Sequence, residues 1–372
     1  MSGITAPKLP PDVIEALAWL QQRQASARVV ILFQIGSFGD ALQLTPLVRE
    51  LRQKFPQHLL VLVHESPLAQ VVVEDSQHID HVIRLAGEFH NQLANSSDLE
   101  ELVDLVVVCR YVIAYRVTGC GRRALGADDQ RFIAAAQEVQ KPWLPFVERF
   151  PFDNDELWRR AAQGGDSMYT LMATTAGFPE VDFEEFYLPL RERDFDKARL
   201  LPPAYVTISN AAETLPPHEG GWTKCLSRGK IAETVRRLRG LHLYVVQLGT
   251  REDPPIPGVD RDLRGETSLK EAAAVLQKAL VNVGPEGGIV NLARAVRTPS
   301  VVFFGSTPAE FFAMRANVNI LPQQCGGCWW VTPRYLHQCP RFMLDPECTE
   351  SIRVEEIIGA AEVIVGKRLH RV

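Results

Sequence analysis

The chain has 372 residues, of which 46% are hydrophobic and 23% charged, with a formal net charge of -5. That length holds two ordinary domains, and the composition is that of a folded soluble chain. The acidic balance excludes general electrostatic binding to nucleic acid, which needs an excess of Lys and Arg, and no run approaches the roughly 18 apolar residues that cross a bilayer.

The start of the chain lacks the basic-then-apolar pattern of a secretory leader, so the expected compartment is the cytoplasm. Pro10–Pro11 followed by the amphipathic stretch Asp12–Gln22 predicts a short surface helix. Val29–Gln34 is a β-rich apolar run. It leads into the loop Ile35-Gly36-Ser37-Phe38-Gly39-Asp40 and then a helix with Leu42, Leu47, Val48 and Leu51 on one face. Leu59–Val63, His81–Leu85 and Leu102–Cys109 predict further strands. Strands that alternate with helices imply a parallel sheet covered on both faces.

Between Gln140 and Leu190 this rhythm breaks into a segment rich in aromatic, Pro and acidic residues. It reads either as an irregular excursion with one or two helices or as an insert that faces an acceptor. A second α/β rhythm follows. Tyr205–Ile208 predicts a strand, Lys230–Arg239 a helix, and Leu241–Leu248 a strand ending at Gly249. Leu269–Leu280 predicts a helix and Ser300–Phe304 a strand ending at Gly305. Leu201-Pro202-Pro203 looks like a linker, and the expected domains are residues 1–195 and 196–372, the second including a terminal helix at Val354–Leu369. The fold class is α/β. Two such domains in series imply a cleft, with ligands outside the carboxyl ends of the strands.

Two strand-following loops carry chemistry. Gly36 and Gly39 let the backbone turn tightly, and Asp40 opens the next helix. Asp40 is either a first-turn carboxylate favoured by the helix dipole or a proton acceptor at the cleft. The loop is not the dinucleotide fingerprint, because Ser37 and Phe38 stand where another Gly is required. The second loop is Gly284-Pro285-Glu286-Gly287-Gly288, ahead of a helix from about Ile289 to Val296. Backbone N–H groups at such a helix start suit a phosphate, and Glu286 suits sugar hydroxyls, so the pair fits a sugar diphosphate. A glycine turn without a ligand is the other reading.

Of the seven cysteines, Cys109, Cys120 and Cys225 are scattered, whereas Cys325, Cys328, Cys339 and Cys348 cluster. Four thiolates suit a closed tetrahedral site for iron or zinc with a structural role, bracing the domain or building an oligomer interface. A disulfide or free thiols are the alternatives. Trp329, Trp330 and Tyr335 could shield such a site, and His337 reads as a surface residue.

Taken together, these pieces resemble glycosyltransferase family 9, the heptosyltransferases. The resemblance rests on Gly36–Asp40 with Leu44-Thr45-Pro46, on Asp262-Leu263-Arg264-Gly265-Glu266-Thr267-Ser268-Leu269, and on Gly284–Ala295 with Pro299–Pro308. It implies a GT-B fold, two Rossmann-like domains facing each other across a cleft, with an N-terminal acceptor domain and a C-terminal nucleotide-sugar domain. It implies an inverting transfer of a sugar, heptose from ADP-heptose, to a glycan, lipid-linked or protein acceptor, with no catalytic divalent cation.

By matching position Asp40 is the base, and Gly39, Glu286, Gly287, Gly288 and Asn291 line the donor. Lys224 matches a phosphate-contacting lysine, and Thr267 and Ser268 fall where the adenosine portion lies. Lys224 also reads as an ordinary solvated lysine, because the expected Trp two residues later is Leu226. The family's usual Asp and His are here Glu286 and Asn291, so another sugar in place of heptose stays open. The cysteine cluster is similar to the iron-binding finger of autotransporter heptosyltransferases, with different later spacings. Peripheral membrane association and homo-oligomerisation are compatible with this reading. The rival readings are a nucleotide-sugar epimerase and a non-catalytic nucleotide-sugar-binding protein.

Overall fold

The structure is a computed structural model that describes residues 8–23, 28–34, 36–85, 93–211 and 223–369. Ile35, the first residue of the loop singled out above, lies outside the described residues. The chain divides into two units, Met1–Phe150 with Met168–Phe186, and Pro151–Ser167 with Tyr187–Val372.

The first unit is built on strands β1 (Arg28–Gln34), β2 (His58–His64), β3 (His81–Arg84), β4 (Leu105–Cys109) and β5 (Ile113–Val117). Their order is β3-β2-β1-β4-β5. Near-continuous Val, Ile and Leu runs in β1, β2 and β4 are buried on both faces, which is what a helix-covered parallel sheet demands. The first four strands are indeed parallel. The fifth is antiparallel to β4, against the all-parallel expectation. Arg110–Val112 is too short to carry a crossover, so the chain can only turn back as a hairpin. The strand expected from Leu102 begins at Leu105, because Leu99–Leu102 is a helical turn. Asp104 then ties the two strands together by accepting the Val29 N–H at 2.6 Å.

The aromatic segment after Gln140 is more helical than its composition suggests, with helices at Leu144–Glu148, Asn154–Gln163 and Met168–Thr175. Helical spacing buries Leu157, Trp158 and Ala161 on one face. Met168–Thr175 belongs to the first unit, where Thr175 accepts the Ile113 N–H at 3.0 Å and Tyr115 donates to the Ala176 carbonyl at 2.8 Å.

The second unit holds β6 (Tyr205–Ile208), β7 (Tyr244–Gln247), β8 (Arg261–Asp262), β9 (Asn282–Pro285), β10 (Ser300–Phe303) and β11 (Val318–Ile320). The order is β11-β10-β9-β6-β7-β8, parallel throughout. Its core joins Val206, Val245, Val283 and Phe303 to Ile231 and Val235 of helix Arg228–Gly240. Ile357 and Ala361 of the terminal helix Val354–Leu369 pack into the same core. Because every strand runs the same way, all the loops that leave their carboxyl ends emerge along one edge. Among the described residues no helix is long and apolar enough to cross a membrane.

His58, at the start of β2, is buried with neither ring nitrogen hydrogen-bonded among the described residues. Burial holds its pKa below the ordinary 6.5. Asp104 and Asp129 oppose that shift, and Arg28 and Arg52 add to it. The unfolded chain therefore takes up a proton that the folded chain refuses, and stability must fall as pH drops below about 6.5. His78, also lowered by burial and by Arg52, acts in the same direction. Thermal unfolding followed from pH 7.5 to 5.5 is expected to show a falling midpoint, with a shallower fall in His58→Phe. Equal slopes in the two proteins would rule His58 out.

Candidate active site

In the first unit, helix Phe38–Gln43 starts directly after the Gly36 turn. Gly36 adopts φ +109, and a Cβ there would lie 2.3 Å from Asp40 Oδ2. Only glycine lets the carboxylate fold back in this way. Asp40 accepts the Ser37 N–H at 2.9 Å, so the first-turn reading of this residue is realised in the geometry. The Gly36 N–H in turn donates to Glu65 at 3.1 Å.

Asp40 also lines a cavity of about 40 Å³ together with Gln34, Gln43, Arg110, Tyr111 and Phe150. That is room for one hydroxyl or water. Sequence reasoning missed Arg110. It stands one residue past β4, at the carboxyl end of a strand, and that position was the available signal. Its guanidinium lies 3.8 Å from the Phe150 ring centroid, and its Nε is buried with no hydrogen-bond partner among the described residues. Burial pulls its pKa down to about 10, while Tyr111, Glu65 and Asp40 draw it upward. The group stays cationic near neutral pH and sets a positive charge beside Asp40.

In the second unit, β9 ends at Pro285 and helix Gly288–Ala295 begins three residues later, with Gly287 as its N-cap at φ +154. This backbone conformation is open to glycine alone. Lys224 and Glu286, given separate roles from the sequence, are paired: Nζ lies 3.0 Å from Oε2, and the side chains are 9% and 13% exposed. Lys224 is therefore no solvated surface lysine. A Cβ on Gly287 would sit 3.9 Å from its ammonium. Asn291 is buried one turn into the helix, its N–H donating to the Gly287 carbonyl at 3.1 Å. The lysine's position is fixed downstream by Asn210. That side chain accepts the Leu226 N–H at 3.0 Å and donates to the Leu226 carbonyl at 2.9 Å.

Thr267 and Ser268 follow β8, separated from β9 by β6 and β7, and no hydrogen bond joins them to Lys224 or Glu286 among the described residues. Ser268 caps helix Leu269–Lys278 in a reciprocal box: it accepts the Glu271 N–H at 3.3 Å, and its own N–H donates to Glu271 at 2.8 Å. The stretch before it is scaffold. Arg264 grips Asp262 through Nε at 3.0 Å and Nη2 at 2.7 Å, and reaches the Asp253 carbonyl. Asp253 accepts the Thr250 N–H at 2.8 Å. Neither Thr250 nor Asp253 was singled out from the sequence. Both follow Gly249, just past the end of β7.

The seven cysteines are all free thiols. Cys325 is exposed, whereas Cys339 and Cys348 are buried. Burial pushes the Cys328 thiol up to about 11 and the Cys348 thiol up to about 12, and the neighbouring cysteines of the cluster add to both. Cys328 and Cys348 thus feel the other cysteines of the cluster in addition to their burial. Among the described residues, however, no three His, Cys, Asp or Glu side chains are placed to hold a metal ion.

Residues 252–328 match the family described as glycosyltransferase family 9 (heptosyltransferase). No curated protein matches the chain by sequence. Among solved structures, it is similar to a glycosyl transferase family 9 protein from Veillonella parvula, with a TM-score of 0.59 at 14% identity over 91% of this chain and 98% of that one. It is also similar to the E. coli ADP-heptose lps heptosyltransferase II, with a TM-score of 0.55 at 14% identity over 92% and 99% of the two chains. A third is the iron-containing dodecameric glycosyltransferase TibC from enterotoxigenic E. coli, at 0.55 and 17% identity over 93% and 79%. TibC has also been solved in complex with ADP-D-β-D-heptose. At such identities the likeness is one of fold. Residues 252–328 thus match the glycosyltransferase family 9 (heptosyltransferase) model, and the chain has the GT-B fold of glycosyltransferases.

Proposed function

We propose that the chain is an inverting glycosyltransferase that moves heptose from ADP-heptose to an acceptor hydroxyl on a lipopolysaccharide, a protein or another glycoconjugate. The observation that carries this reading is the pairing of Lys224 with Glu286 at the glycine start of helix Gly288–Ala295; Glu286 and that helix lie within the matched residues 252–328. A cation, a helix N-terminus and a carboxylate stand together. The first two suit a diphosphate and the third suits sugar hydroxyls. TibC, whose fold this chain shares, binds ADP-D-β-D-heptose.

In this reading the acceptor oxygen attacks the anomeric carbon, and the bond from that carbon to the diphosphate oxygen breaks. ADP leaves with the electron pair, and the acceptor proton passes to Asp40. Lys224 and the Gly287–Gly288 amides meet the charge that grows on the leaving diphosphate, where stabilisation speeds the step. Arg110, which lines the same cavity as Asp40, places a positive charge beside the carboxylate. A thermal-shift panel tests the donor: ADP-heptose and ADP are expected to raise the unfolding midpoint by several degrees, as ligands bound only by the folded state do. If UDP- and GDP-sugars shift it and adenine nucleotides do not, the assignment to ADP-heptose is lost.

The same reading gives Cys325, Cys328, Cys339 and Cys348 one structural iron or zinc ion. Four cysteines within residues 325–348 are the donor type that iron and zinc take, and a bound cation would favour their ionised form; among the described residues they are not gathered into a metal-holding group. TibC, likewise, is iron-containing and dodecameric, and a homo-oligomer in the reducing cytoplasm is the corresponding proposal here. The ion would cross-link residues 325–348 and leave no position open for catalysis. Elemental analysis should find about one iron or zinc per chain, and chelation should lower the unfolding midpoint. A folded, metal-free protein indifferent to chelator is the opposing result.

A further inference from the structure

The cysteine-bearing segment reaches the backbone that carries Lys224. Thr223, the residue before the lysine, is buried. Its N–H donates to the Leu336 carbonyl at 2.9 Å, and its hydroxyl donates to the Tyr335 carbonyl. That hydroxyl also lies 2.9 Å from the Ser306 hydroxyl. The Thr223 carbonyl oxygen lies 3.8 Å from the Cys348 sulfur. A second contact runs through Gly305, two residues past the end of β10. A Cβ there would stand 2.6 Å from the Thr223 carbonyl oxygen and 2.9 Å from Lys224 Cα. The Gly305 carbonyl accepts the Gly327 N–H of the Cys-Gly-Gly-Cys turn at 3.2 Å. Tyr335 is itself held: its hydroxyl accepts the Trp329 indole N–H at 3.0 Å, and Trp329 packs edge-on against Phe312 at 4.9 Å between ring centroids.

We propose that residues 325–349 form a clamp that positions Lys224 for the donor diphosphate, with Thr223 as the positioning residue that joins the two. This rests on the reading of Lys224 as a diphosphate contact and adds that the cysteine segment belongs to the donor site's support. Physically, a lysine has four rotatable bonds and a strongly hydrated head. Its value as a phosphate contact depends on a backbone that does not move. Asn210 fixes that backbone on one side, and the clamp fixes it on the other.

The test is ADP binding to the full chain by titration calorimetry, with a double-mutant cycle. Thr223→Val keeps the shape and removes both hydroxyl contacts. It is expected to weaken ADP about tenfold, roughly the worth of one buried hydrogen-bonding set. Thr223→Ser keeps the hydroxyl and should bind within about threefold of the wild type. In a Lys224→Ala background, Thr223→Val should have almost no further effect, because the group it positions is gone. If Thr223→Val weakens ADP equally in both backgrounds, or not at all, the clamp is refuted. If Lys224→Ala alone binds ADP like the wild type, Lys224 is no diphosphate contact and the donor reading fails with it.

Should Thr223→Val not fold, the unaltered protein gives the answer from the other end. Coupling is reciprocal, so saturating ADP should slow amide hydrogen exchange in residues 325–349 of the wild type and leave it unchanged in Lys224→Ala. Exchange unaffected by ADP in the wild type overturns the proposal.

Discussion

Asp40→Asn should lower glycosyl transfer by roughly 10²–10⁴-fold, the range for losing a general base, while affinity for ADP-heptose stays nearly constant. The substitution isolates basicity from structure. Asn keeps the side-chain length and an oxygen that can still accept the Ser37 N–H, now bonded to Asp40 at 2.9 Å. It also preserves the close packing against Gly36. What it loses is the negative charge facing Arg110 and the capacity to take a proton. Asp40→Ala is the control for the other role of this residue. It removes the bond to Ser37 and should lower the unfolding midpoint in addition to the rate, by about 1 kcal/mol of helix-start stability. The measurement is ADP release from ADP-heptose, with the acceptor present or with water in its place. A wild-type rate in Asp40→Asn would leave this carboxylate with its capping role alone.

Much of this arrangement is legible in the sequence, and what is not has identifiable causes. Val29–Gln34, Leu59–Val63 and Ser300–Phe304 announce themselves because buried parallel strands tolerate only apolar residues, and β1, β2 and β10 fall there. β5 is hidden because Tyr115 and Arg116 interrupt its apolar run. The polarity is answered only in three dimensions, by Ala176 and by the Ala94 carbonyl that accepts Arg116 at 2.8 Å. Asp40, Glu286 and Gly287 were marked by glycine turns after strands, a local signal, whereas Lys224 was marked only by the family resemblance. The Lys224–Glu286 bond joins residues 62 positions apart, and no spacing rule connects them. Arg110 was invisible for a related reason. A lone arginine after a strand looks like any surface cation until Phe150, brought back by the helices after Gln140, covers its face. The cysteine cluster was conspicuous as composition, yet its hold on Thr223 spans more than a hundred residues of chain.

Lys224 and Glu286 should respond asymmetrically to replacement. Lys224→Met removes the cation that meets the diphosphate, and one charge-assisted hydrogen bond of about 2 kcal/mol corresponds to roughly thirtyfold weaker ADP. It also strands a carboxylate only 13% exposed. The N-terminus of helix Gly288–Ala295 beside it partly compensates, so the stability loss should be on the order of 1–3 kcal/mol and not the larger figure for an isolated buried charge. Glu286→Gln acts in the opposite sense on the nucleotide. With its counter-charge gone, Lys224 sits next to the positive end of the helix with nothing to neutralise it, and an entering diphosphate relieves both. ADP should therefore bind as tightly as in the wild type or more tightly, whereas ADP-heptose should lose its advantage over ADP, because the carboxylate that accepts the sugar hydroxyls is now a neutral amide. Titration calorimetry of both ligands on both variants separates the roles. If Glu286→Gln weakens ADP as much as Lys224→Met does, the carboxylate serves only to hold the lysine, and sugar selection must be sought at Asn291 instead.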